Sequence, residues 1–250
     1  MDSPILQRST ALNNIPSRKF QEKLLSAIHN CKICSERDMK YKSVFDGLCQ
    51  KCSLVNVAFN RYYEANIPIE YWDLKMDKDF HGYPGLLAKY KEIVADLNKT
   101  YVSGTAVCFA GLHGRGKSLT ASCILKKACH KNFQCLYTTL SDVVSVLTGA
   151  VGEDRFMARK ELLLVDFLVL DEFDNRFFSS DNAADLFART LEGVFRTRSQ
   201  NKLPTFMCTN SPNIIEAFTG PLKQSIDSLM SGYMTVFPVL GTDFRKQGAV

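Results

Sequence analysis

Gly111-Leu112-His113-Gly114-Arg115-Gly116-Lys117-Ser118 has the G-x-x-x-x-G-K-[ST] spacing of a phosphate-binding loop. Ahead of it, residues 105–110 form a short apolar run of strand type, and from Leu119 to Lys131 there is neither Gly nor Pro. The stretch therefore reads as strand, loop, helix, the context in which this motif carries meaning. Glycines let backbone N–H groups turn inward around phosphate oxygens, and the start of a helix adds a favourable dipole. Residues of this stretch expected to touch a nucleotide are Gly111, His113, Gly114, Arg115, Gly116, Lys117, Ser118 and Leu119. Lys117 would reach the terminal phosphates, and the Ser118 hydroxyl would hold Mg2+. A Gly-rich turn matching by chance is the competing reading of the loop alone.

Two further strand ends weigh against chance. Residues 167–170, Phe-Leu-Val-Leu, lead into Asp171-Glu172, and residues 204–208 lead into Thr209-Asn210. Strands alternating with helices predict an α/β fold with a parallel sheet, whose ligands lie at the carboxyl ends of the strands. Asp171 would hold Mg2+ through water. Glu172 would deprotonate the water that attacks the γ-phosphate, and Asn210 would help fix that water. Catalysis of this kind is positioning plus charge stabilisation, so it needs such groups at strand tips. A solvated acidic pair is the alternative, disfavoured by the four apolar residues before it.

Four of the nine cysteines form two C-x-x-C pairs, Cys31/Cys34 and Cys49/Cys52, fourteen residues apart. Two such knuckles joined by a hairpin-length spacer make a tetrahedral thiolate site for Zn2+. Four protein ligands leave no open position, so the zinc is expected to be structural. In so small a segment it would supply much of the folding energy. Cys108, Cys123, Cys129, Cys135 and Cys208 sit in apolar surroundings and read as small buried hydrophobes.

With 250 residues, 46% of them hydrophobic, the chain has room for one α/β domain and a small accessory module. The expected organisation is 1–29, an extension with a short helix; 30–54, the zinc ribbon; 55–83, a helix and an irregular aromatic stretch; and 84–250, the ATPase domain. Net charge is +5, which permits nucleic-acid contact without arguing for it. No apolar run reaches membrane-spanning length and the first residues are polar, so no membrane is expected and the location is cytoplasmic.

Element by element, helices are predicted from Phe20 to His29 and from Leu54 to Asn66. Another starts at Pro84 and runs to about Asn98, with Leu87, Tyr90, Val94 and Leu97 on its buried face. Further on, Phe133–Thr138 reads as a strand, Ser141 as the cap of a helix carrying Val143, Val144 and Leu147, and Glu153–Leu163 as a helix. A long helix from Asp181 would carry Ala184, Phe187, Leu191, Val194 and Arg198.

These motifs together resemble the AAA+ P-loop ATPases of the DnaC/IstB type, the bacterial and phage replicative-helicase loaders. The resemblance runs from about Ile67 to Arg245. It includes Asn66-Ile67-Pro68 with the aromatic stretch after it, the phosphate loop, and residues 166–172. Leu203-Pro204-Thr205 leading into Thr209-Asn210 is similar to the family's first sensor, and residues 241–245 to its second. The resemblance implies that Arg245 touches nucleotide phosphates. It also implies ATP and Mg2+ as cofactors, weak and partner-regulated ATP hydrolysis, and a hexameric replicative DNA helicase, single-stranded DNA and further copies of the chain as partners. Zinc-binding N-terminal regions occur in some of these loaders.

In one place the chain departs from the pattern. Where the family carries arginines that reach a neighbour's ATP, roughly D-R-L-R, this chain reads Asp227-Ser228-Leu229-Met230. Arg189, Arg196 and Arg198 are the substitutes to weigh, with helix-face salt bridging as their alternative role. Two other functions compete with helicase loading: a transposition-helper ATPase of the IstB type, and an adaptor that binds nucleotide without hydrolysing it.

Overall fold

Alternation inside the strands decides how the chain layers. In the computed structural model, which describes residues 50–149, 152–173, 192–211, 223–224, 227–228 and 232–243, five parallel strands form one sheet. They are β1 (Ala106–Ala110), β2 (Cys135–Thr139), β3 (Phe167–Asp171), β4 (Thr205–Thr209) and β5 (Thr235–Pro238). Their spatial order is β2-β3-β4-β1-β5. Successive strand side chains point to opposite faces. Ala106, Cys108, Leu168, Leu170 and Met207 accordingly pack on one face, and Val107, Phe109, Phe167, Val169 and Phe206 on the other. Every residue of β1, β3 and β4 is buried, as expected of parallel strands covered by helices on both sides.

The second face carries a row of rings across three strands. Phe167, Phe206 and Phe109 stack at centroid separations of 6.4 and 6.5 Å, and Phe237 of β5 meets Phe109 edge-on at 6.2 Å. Each such pair contributes about 0.5–1.5 kcal/mol beyond its buried area. Against this face lie α1 (Gln50–Glu64), α2 (Met76–Asp79), α3 (Pro84–Ala95), α4 (Leu97–Ser103) and α5 (Lys117–His130). The stretch 55–83, read from sequence as a helix and an irregular aromatic segment ahead of the ATPase domain, contributes Phe59, Tyr62, Trp72, Met76 and Phe80 to this core. The opposite face is covered by α6 (Leu140–Gly149), α7 (Glu153–Leu164) and the helical residues 192–200.

Several predicted elements shift for identifiable reasons. The helix starting at Pro84 does not run on to Asn98. Asp96 adopts an extended conformation and its carboxylate accepts the Lys99 N–H at 3.0 Å, ending α3 and capping α4. The buried residues are then Leu86, Tyr90, Ile93 and Leu97, with Leu87 and Val94 half-buried beside them. Ser141 is not a cap. Thr139 takes that place, accepting the Asp142 N–H at 3.1 Å while its hydroxyl donates to the Asp142 carboxylate at 2.8 Å. The helix predicted from Leu54 begins at Gln50 and takes in Cys52. β5 was not foreseen. It has mostly exposed residues and is defined by pairing with β1, Val107 to Thr235 through Ala110 to Pro238.

Arg198 corrects another expectation. Its side chain is fully buried, which rules out both a surface salt bridge and reach into a neighbouring molecule. Arg196, two residues earlier and so on nearly the opposite face of the helix, does pair with Glu192, at 2.5 Å on the exposed side. The predicted helix over 20–29, Cys31, Cys34, Cys49, residues 181–191 with Arg189, Leu229, Met230 and Arg245 lie outside the described residues. Asp227 and Ser228 are helical and exposed. Among the described residues no helix is long and apolar enough to cross a membrane.

Candidate functional site

Parallel register brings four strand ends to one rim. Ala110 pairs with Thr209, and Thr139 with Asp171. Because β4 lies between β1 and β3, Asn210 leaves the sheet between the phosphate loop and the acidic pair. Here a cleft of about 610 Å³ opens, lined by His113 to Leu119, Asp171, Glu172 and Asn210. Three motifs separated by about fifty and forty residues of chain thus meet in one place.

The loop is held at its entry by the Gly111 N–H, which donates to the Thr209 carbonyl at 3.2 Å. Gly114 and Gly116 have φ of 72° and 84°, left-handed values that side chains with a Cβ rarely adopt. At Gly114 there is also no space: an added Cβ would lie 1.7 Å from Oδ1 of Asp243. Asp243 belongs to the segment read as similar to a second sensor, so this segment passes beside the loop. The Arg115 guanidinium donates to the carbonyl of Val239 at 2.8 Å, drawing the residues after β5 onto the loop. Lys117 is buried, with Nζ donating to the Leu112 carbonyl across the turn at 2.8 Å. A loop with left-handed glycines, a buried ammonium and a helix start directly behind it fits a chain of phosphates. Leu119 lines the cleft but is mainly a core residue.

Across from the loop, both oxygens of the buried Asp171 are engaged. Oδ2 accepts from the Tyr137 hydroxyl and Oδ1 from the Glu172 N–H at 2.7 Å. Burial, with Asp171 beside it, pushes the Tyr137 phenol well above its ordinary pKa, so it keeps its proton and donates at neutral pH. Glu172 is exposed toward the cleft and has φ of 51°. Few residues other than Gly hold that conformation, and such positions cluster at functional sites. A hydroxyl (Ser118, from the loop) and a carboxylate (Asp171, from the strand end across from it) lining one cleft suit an oxygen-seeking divalent cation such as Mg2+.

One wall was not legible as a site. Pro68, Glu70, Tyr71, Leu74 and Asp79 line the cleft facing the loop. They are placed by Lys126 of α5, whose buried ammonium donates to the carbonyls of Tyr71, Trp72 and Leu74. Burial lowers the Lys126 pKa, and three carbonyl acceptors compensate. Trp72 adds an indole N–H bond to the Ile67 carbonyl at 2.8 Å. Burial, with the Glu70 carboxylate nearby, also raises the Tyr71 pKa. The signal available in the sequence was a lysine on the apolar face of a helix and an aromatic stretch without periodicity. Neither says where the stretch docks. Among the described residues no cluster of three or more His, Cys, Asp or Glu side chains forms a metal site.

Comparison with known proteins agrees with this geometry. The family described as IstB-like ATP binding protein matches residues 65–200, more than half of the chain. No curated protein sequence matches. Among solved structures, the DnaC helicase loader superposes with a TM-score of 0.56 at 18% identity, covering 69% of this chain and 100% of that one. DnaI gives 0.54 at 15% identity over 70% of this chain and 93% of the other. AMPPCP-bound DnaA from Aquifex aeolicus gives 0.52 at 14% identity, covering 65% of this chain and 49% of that chain. At these identities the structures speak for the fold alone, an α/β fold of the AAA+ P-loop type. The chain belongs to the IstB-like ATP-binding protein family.

Proposed function

We propose that this protein is a Mg2+-dependent ATPase that loads a hexameric replicative DNA helicase onto single-stranded DNA. The observation that carries the ATPase reading is the convergence of Lys117, Ser118, Asp171, Glu172 and Asn210 on one cleft at the carboxyl rim of the sheet. Loop N–H groups and Lys117 bind the phosphates; Ser118 and Asp171 hold the metal. Glu172 takes the proton of the attacking water while Asn210 fixes that water. Arg245 serves as the second sensor. Mg2+, when bound, neutralises charge on the β- and γ-phosphates. What supports the loading role is likeness of fold: the whole DnaC helicase-loader chain superposes on 69% of this one. A second reading, an IstB-type transposition helper, is favoured by the family match itself. The two separate in a pull-down: a loader captures a hexameric replicative helicase in an ATP-dependent way, whereas a transposition helper coats DNA and ignores the helicase.

Lys117→Ala tests the nucleotide site. The ammonium donates charge-assisted bonds to phosphates, so its loss is expected to weaken ATP binding on the order of 100-fold. In titrations paired with a circular dichroism control, the fold is expected to survive. Affinity equal to wild type would remove the phosphate-loop assignment.

The N-terminal four-cysteine module is proposed to hold one structural Zn2+ through Cys31, Cys34, Cys49 and Cys52 and to bind the helicase. Metal analysis in reducing buffer is expected to find one zinc per chain. Cys49→Ser should lose both metal and helicase capture while nucleotide binding persists. A zinc-free preparation that still captures the helicase would refute the module.

A further inference from the structure

Tyr137 belongs to no motif, yet its hydroxyl donates to Oδ2 of Asp171 at the rim of the cleft. Parallel register sets Tyr137 opposite Val169, two residues short of Asp171, a distance of about 6.6 Å along a strand that a phenol can span. The residue is 4% exposed and is clamped from the outer edge of the sheet. Its N–H donates to the Ala65 carbonyl at 2.8 Å, and its carbonyl accepts the Asn66 amide at 3.0 Å. Asn66, with φ of 54°, turns the chain just beyond α1 to make that second bond. The end of α1 thus fixes the backbone of Tyr137, and Tyr137 in turn fixes one oxygen of Asp171.

The other Asp171 oxygen accepts the Glu172 N–H at 2.7 Å. An ionised carboxylate offers about four acceptor positions, so two bonds still leave each oxygen able to accept from a metal-bound water. A buried carboxylate held at both oxygens has little rotational freedom. Supporting groups of this kind orient metal-site carboxylates and change metal affinity when removed.

We propose that Tyr137 is a positioning residue for the magnesium site, holding Asp171 in the orientation that meets the hydrated ion. The inference rests on the reading of Asp171 as the magnesium carboxylate. It concerns the metal and not the phosphates, since the phosphate loop makes none of these contacts. Tyr137→Phe keeps the ring and removes the hydroxyl.

The experiment titrates a fluorescent ATP analogue into the full chain, first in EDTA and then at increasing Mg2+. For Tyr137→Phe, affinity in EDTA should equal wild type, and the Mg2+ concentration giving half-maximal tightening should rise roughly tenfold, the loss of one bond to a charged group. A midpoint within twofold of wild type overturns the proposal. So does a change in EDTA affinity of the same size as the change in Mg2+, because the hydroxyl then serves the nucleotide site as a whole. In a double-mutant cycle, Tyr137→Phe should add nothing to the residual Mg2+ dependence of Asp171→Asn. A further tenfold shift on that background overturns a role exerted through the carboxylate. Wild-type binding that is indifferent to Mg2+ would instead remove the magnesium reading of Asp171 itself.

Discussion

Glu172→Gln is expected to lower ATP turnover by about 10²- to 10⁴-fold, the usual contribution of a general base, while leaving ATP affinity unchanged. The amide has the size and shape of the carboxylate but cannot accept the proton of water. Binding should persist because the loop, Lys117 and Ser118 are untouched. The backbone should persist as well: Glu172 makes its bond to Asp171 through its own N–H, which glutamine retains. The left-handed conformation at φ of 51° projects residue 172 off the end of β3 into the cleft, away from the sheet that buries Asp171. Single-turnover phosphate release, with a nucleotide titration beside it, measures both quantities. Turnover within a few-fold of wild type would move the base to another residue of the cleft, Glu70 or Asp79 being the carboxylates available.

Arg198→Ala should destabilise the fold by about 3–5 kcal/mol, as removal of a buried charged group that makes several hydrogen bonds does. The guanidinium donates to four acceptors: Thr205 Oγ1 at 2.9 Å and the carbonyls of Leu162, Val165 and Pro204 at 3.0, 2.9 and 2.8 Å. It ties the end of α7 to the entry of β4. Burial lowers its pKa to about 10, a cost in solvation that the four bonds offset. Alanine would leave buried carbonyls without a donor, at about 1–3 kcal/mol each. The Tyr233 hydroxyl, which donates to the Leu203 carbonyl at 2.9 Å and also meets Thr205 Oγ1, would retain part of the network. Urea unfolding measures the loss. A change below 1 kcal/mol would mean that water replaces the guanidinium. The folded fraction of the variant should bind ATP as wild type does, since Arg198 lines no part of the cleft.

These two residues mark the boundary between local and non-local information. The phosphate loop, strands β1 to β4 and the tips at Asp171-Glu172 and Asn210 were legible because they depend on short-range features: an apolar run, a glycine spacing, an acid directly after a strand. The helix at Lys117 begins where the motif sets it. Small corrections arose where two short polar residues compete for one cap, as Thr139 and Ser141 do, or where an aspartate interrupts an otherwise helical pattern, as Asp96 does.

Burial and pairing across the chain were not legible. Arg198 and Arg196 sit two residues apart on the same helix. Carbonyls at Leu162 and Val165, more than thirty residues earlier, make one a core residue and leave the other at the surface. β5 has too few apolar inward positions to declare itself and exists because β1 has a free edge. The cleft wall at Pro68 to Asp79 depends on Lys126 reaching carbonyls some fifty residues away. Tyr137 meets Asp171 only through the parallel register of β2 and β3. The sequence alone marked the loop and the strand tips that meet at the cleft, because their residue types and spacing are written in single segments. Tertiary structure decided which other groups orient them and which arginine is withdrawn from solvent, because hydrogen bonds and burial join segments whose separation carries no local signal.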